Sequence, residues 1–140
     1  MSRSSALRHG VMLAVGGLVA AAVGTGIMST QAQAVEVDLA ATMHATATYP
    51  SARGHAEYES GHEGREFEMS LVGLRPLAGH RVVVRVHGDV VAKPLVGPRG
   101  RVHVDRHAGV PRMVAGNVVR VRTVSGTLVS SGTLHRELHD

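Results

Sequence analysis

The side chains with the most chemical scope in this sequence are its histidines, and three candidate ligands sit in one short run. The segment GRVHVDRHAG, residues 100–109, places His103, Asp105 and His107 at alternate positions, with Val102 and Val104 inside the alternation. Imidazole nitrogen and carboxylate oxygen are donors that Zn²⁺ and Cu²⁺ accept. Residues two apart on a strand share a face, so all three point the same way. A rise of about 3.3 Å per residue nevertheless puts His103 and His107 roughly 13 Å apart, too far for two imidazoles to meet one ion at about 2.1 Å. The metal expectation therefore narrows to His103 with Asp105, or Asp105 with His107, completed by His87 from a neighbouring strand. The simpler reading is the solvent face of a strand, with Asp105 paired to Arg85 or Arg106.

Other reactive side chains are less organised. Glu57, Glu59, Glu63, Glu66 and Glu68 cluster in EYESGHEGREFE. Two of them at i and i+2 could form an acid/base pair or hold Ca²⁺, but they also read as the polar side of a hairpin whose inward residues are Ala56, Tyr58, Phe67, Met69 and Leu71. Ser125, Ser130 and Ser131 lie near turns and strands without the strand-to-helix elbow that exposes a nucleophilic serine. No glycine-rich phosphate loop is present.

Positioning these groups falls to β-structure. Period-2 alternation dominates from His55 onward, and no window sustains a 3.6-residue apolar stripe. Strands are expected near Val35–Leu39 and Ala45–Tyr49, then in HAEYES and REFEMSLVGL around the turn GHEG. Further strands follow in HRVVVRVHG, DVVAKPLV, RVHVDR, NVVRVRTV and TLVSSGTL. Seven or eight short strands in about 105 residues predict an all-β chain, a small antiparallel β-sandwich. Read as a meander, HRVVVRVHGDVVAKPLVGPRGRVHVDR puts Val82, Val84, Val86, Val91, Leu95, Val102 and Val104 on the core face. Arg81, Arg85, His87, Ala92, His103, Asp105 and His107 then share the wet face, with Arg85, Ala92 and Asp105 in one row. Pro94 makes the middle segment bent, bulged or an edge.

The stretch LVGLRPLAGHRVVVRV resembles the strand-corner-strand segment of fibronectin type III and related immunoglobulin-like domains. There a Leu, a Pro two residues on and a Tyr six residues on form the tyrosine corner. Leu74, Pro76 and His80 occupy those positions, with His80 in place of the tyrosine. The resemblance spans about 16 residues and implies a sandwich-like corner.

The ends of the chain bear on where it works. Arg3, Arg8 and His9 precede an uncharged run from Val11 to Ile27, and Ala32 and Ala34 give the small-x-small pattern before Val35. This reads as a signal peptide over residues 1–34, cleaved before Val35 for general secretory export, leaving no transmembrane segment. The remaining 106 of 140 residues suit one domain, taken as 35–134, with a polar tail over 135–140 expected to fray. That part carries 13 basic and 11 acidic residues, a net charge of about +2, without a basic run or many aromatics, so nucleic-acid binding is not indicated. Nine of the ten histidines fall in it, which makes its charge pH-dependent where imidazole ordinarily titrates. The absence of cysteine removes disulfides, thiolate catalysis and cysteine-ligated metals.

The expectation is an exported, non-catalytic β-sandwich module, binding or envelope-associated, whose partner is a protein or cell-envelope component met at a sheet edge or loop tip. Few aromatics argue against a sugar-stacking platform. The competing reading is a histidine-based surface binder of Cu or Zn ions, and a third is a small secreted hydrolase.

Overall fold

The computed structural model describes residues 35–138, so the expected signal peptide, His139 and Asp140 lie outside the described residues. Within that range the chain is all-β, with nine antiparallel strands and one short 3₁₀ turn at Arg75–Leu77. The strands are β1 (Val37–Ala45), β2 (Arg53–Gly61), β3 (Gly64–Val72), β4 (Val82–Val86), β5 (Asp89–Ala92), β6 (Val102–Arg106), β7 (Val118–Thr123), β8 (Leu128–Thr133) and β9 (His135–Arg136). No described helix is long and apolar enough to cross a membrane.

The pairing order is β5-β4-β7-β8-β1-β2-β3-β6, with β9 added on β1. Two sheet halves result, β9-β1-β2-β3-β6 and β8-β7-β4-β5, joined where His44 and Ala45 at the end of β1 pair with Ser131 and Ser130. Alternation decides which residues face inward. Leu39, Ala41 and Met43 of β1, Ala56 and Tyr58 of β2, and Phe67, Met69 and Leu71 of β3 are buried against Val82, Val84, Val86, Val119, Val121 and Val129 of the other half. Each of the larger side chains among them contributes about 1.5–3 kcal/mol when removed from water, so this single cluster is the main stabilising term in a cysteine-free chain. Ser130, fully buried, donates its hydroxyl to the His44 carbonyl at 2.7 Å across the junction of the halves.

Several sequence expectations need correcting. β5 and β6 do not pair: β5 lies beside β4, whereas β6 crosses to the far edge and pairs with β3. The meander of β4, β5 and β6 is therefore wrong, and so is the row of Arg85, Ala92 and Asp105. Arg85 stands opposite Val90 and Arg120, and Asp105 opposite Glu68. A register shift follows Val84, so the expected core residue Leu95 is 54% exposed and Val96 is buried instead. The strand expected near Val35–Leu39 is β1, which runs on to Ala45, but the one expected near Ala45–Tyr49 does not form: Thr46–Ala52 turns back, with the Tyr49 amide bonded to Thr46 Oγ1. His135 and Arg136 of the tail pair with Ala40 and Leu39.

The 73–80 segment keeps the expected corner by other means. Leu74 is buried, Pro76 sits in the 3₁₀ turn, and the Leu77 amide bonds the Leu74 carbonyl. The exposed His80 is tied through its backbone, to Leu77 and Val96, and does not play the part of the tyrosine hydroxyl. Instead Gly100, at φ 73°, lets the 97–101 loop lie against the corner: a Cβ there would stand 2.3 Å from the Arg75 nitrogen. The Leu74 amide then bonds the Gly100 carbonyl at 2.9 Å.

Candidate metal centre

The outer face of the β9-β1-β2-β3-β6 half is built by the residues that alternate with the core. Its rows can be read from the register. Asp38, Glu59 and Glu66 are successive neighbours across β1, β2 and β3, and His107 follows just beyond the end of β6. In the next row Ala40, with His135 beside it, leads to Glu57, Glu68 and Asp105. The third row is Thr42, His55, Ser70 and His103. Four carboxylate pairs thus stand directly opposite one another: Asp38/Glu59, Glu59/Glu66, Glu57/Glu68 and Glu68/Asp105. Like charges in that position destabilise a sheet.

Two histidine rings stand among these carboxylates. The His107 ring bridges two strands, with Nε2 at 2.8 Å from Asp105 Oδ1 and Nδ1 at 3.3 Å from Glu66 Oε2. His103 Nδ1 lies 3.1 Å from Ser70 Oγ and 4.0 Å from Glu68 Oε1. Glu59, at the centre of the acidic rows, has its pKa raised above 4.5, first by burial and then by Asp38, Glu66, Glu57 and Glu137. An open groove of about 500 Å³ borders the same corner, lined among others by Glu36, Asp38, Glu59, Glu66 and His107.

Glu66, Asp105 and His107 each offer one ligand atom, and these atoms lie within 4.8 Å of one another. Donors around a tetrahedral ion with bonds of about 2.1 Å are spaced by about 3.4 Å. The three side chains must close by a little over 1 Å, and His107 must give up one hydrogen bond to turn that nitrogen's lone pair on an ion. Partly exposed side chains on two paired strands have the rotamer freedom to do so.

The structure sorts the sequence candidates clearly. Asp105 and His107 are brought together. His103 is on the same face one step along and bonds Ser70, outside the group. His87 lies in the β4–β5 turn at φ 48°, on strands that do not neighbour β6, and is not brought to the others. Asp105 meets His107 rather than Arg85 or Arg106; Arg106 turns to the Ala108 carbonyl. Glu66 completes the group and was not expected beside Asp105 and His107. It was visible as part of the glutamate cluster, but only the β3–β6 pairing places it beside β6.

A serine-histidine chemistry finds little support in the geometry. The Ser70 hydroxyl and the Glu68 carboxylate approach the same nitrogen of His103, whereas a relay needs them on opposite nitrogens. Every described histidine is exposed.

Comparison with models of known protein families gave no match to this chain, and comparison with curated proteins found no similar sequence.

Proposed function

We propose that the protein is an exported, non-catalytic binding module whose ligand is a divalent transition-metal ion, Zn²⁺ or Cu²⁺, held by Glu66, Asp105 and His107 on the outer sheet face. The observation that carries this reading is the meeting of three donors of the right type within 4.8 Å, Asp105 from β6, His107 just beyond its end and Glu66 from the neighbouring β3. The opposed carboxylates around them favour a cation, because a bound ion offsets repulsion that the sheet otherwise sustains. Export rests on the N-terminal signal pattern alone. The absence of a shielded histidine among the described residues supports a binding rather than a catalytic role.

Calorimetric titration of Val35–Asp140 with Zn²⁺ and Cu²⁺ tests the proposal. One ion per chain is expected, with binding lost in His107→Ala and Glu66→Gln and kept in His87→Ala. Weak, non-saturating binding indifferent to these changes would remove it.

A second reading, contact with a protein or cell-envelope component, draws on the sheet edges. The pairing path ends on β5 and β6, each paired on one side only among the described strands, and Val90 on β5 is 42% exposed. A proline at Val90 that abolishes capture of an envelope partner would favour it.

A further inference from the structure

On the inner side of the same sheet half, a cavity of about 530 Å³ opens between the ends of β1 and β2 and the 112–115 loop. Its walls are apolar where Val37, Leu39, Met113 and Val114 line it, and cationic where Arg65, Arg112 and Arg136 do. The register explains the change of character. Leu39, Tyr58 and Phe67 form the last inward row of the core, and the next inward row is Val37, Ser60 and Arg65. Arg136 joins from β9, opposite Leu39.

The charge of this cavity favours an anion. Three guanidinium groups share it with no carboxylate among the lining residues. All three arginines are exposed; the Arg65 side chain makes a long hydrogen bond, 3.4 Å, to the Val110 carbonyl, and the Arg112 and Arg136 side chains have no hydrogen-bond or ion-pair partner among the described residues. Tyr58 also borders the cavity, at 1% exposure.

We propose that this cavity binds a small amphiphilic anion, an organic carboxylate with a short apolar body. The carboxylate suits guanidinium groups, which present paired donors to two oxygens. The apolar body covers Val37, Met113 and Val114, a surface that a bare inorganic anion would leave wet. The volume is in the range of sites for small organic ligands. This site is separate from the carboxylate-histidine face and does not depend on metal binding there.

Titration of the purified chain with decanoate, decanol and acetate tests the assignment. Decanoate should saturate at one molecule per chain and bind at least tenfold more tightly than decanol, which lacks the charge, or acetate, which lacks the body. The double variant Arg112→Gln/Arg136→Gln should weaken decanoate at least tenfold, while Glu66→Gln and His107→Ala leave it unchanged. Equal affinity for decanol, or indifference to the arginine substitutions, would overturn the proposal.

Discussion

Replacing Glu59 by glutamine should make the protein more stable at neutral pH. Glu59 faces Asp38 on one side and Glu66 on the other, and its pKa is raised by burial first and by these neighbours next. A carboxyl group whose pKa is raised on folding stabilises the fold while protonated. That contribution is present below the ordinary value of 4.5 and is lost as the pH rises through the raised value. Glutamine keeps the shape and removes the charge. Cross-strand charge pairs are worth about 0.2–1 kcal/mol each, so relieving two partly exposed pairs gives about 0.5–1 kcal/mol, in the lower part of the summed range. For a domain of about 100 residues this is a rise of roughly 2–6 °C in midpoint. Thermal denaturation followed by circular dichroism at pH 7 in low salt reads it directly. The gain should shrink at pH 4, and again in 1 M salt, where the screening length is about 3 Å. A destabilised variant, or a gain of the same size at pH 4, would refute the electrostatic argument.

Other expectations follow from the packing. Phe67→Ala removes the largest wholly buried side chain of β3 and should cost about 3–5 kcal/mol, measured by urea unfolding. Ser130→Ala leaves the His44 carbonyl without its hydroxyl donor and should cost about 1–3 kcal/mol by the same assay. Gly100→Ala places a methyl group against the Arg75 backbone nitrogen at a positive φ, and should lower the midpoint where alanine at the exposed Gly126, with nothing within 4 Å, costs less.

How far the sequence could be read depends on the range of the interactions involved. The β2–β3 hairpin is wholly local: alternation plus the two-residue loop His62-Glu63 fixes Glu57 opposite Glu68 and buries Tyr58 and Phe67 as expected. Local rules fail where the ladder is irregular. The register shift after Val84 and the proline at 94 exchange Leu95 for Val96 in the core, a slip that alternation cannot foresee. They fail again where topology is non-local. Consecutive strands tend to be neighbours, which is why β6 was expected beside β5. The 93–101 connection instead packs on the corner, through Gly79 to Val96 and Leu74 to Gly100, and delivers β6 to β3. The polar tail expected to fray is held at His135–Arg136, because β8 covers only the end of β1 and these two residues fill the edge that remains. For the candidate site, Asp105 and His107 were legible from spacing. Glu66 was not, because its role depends on which strand lies next to β6.

The most direct test of the central claim is the stoichiometry of Zn²⁺ and Cu²⁺ binding, by calorimetry at pH 7, in the parent chain and in His107→Ala, Glu66→Gln, His103→Ala and His87→Ala. One ion per chain, lost in the first two variants, retained in the last two and weakened on acidification as the ligands protonate, is the predicted result. Binding that survives His107→Ala, or that disappears with His87→Ala, would contradict it.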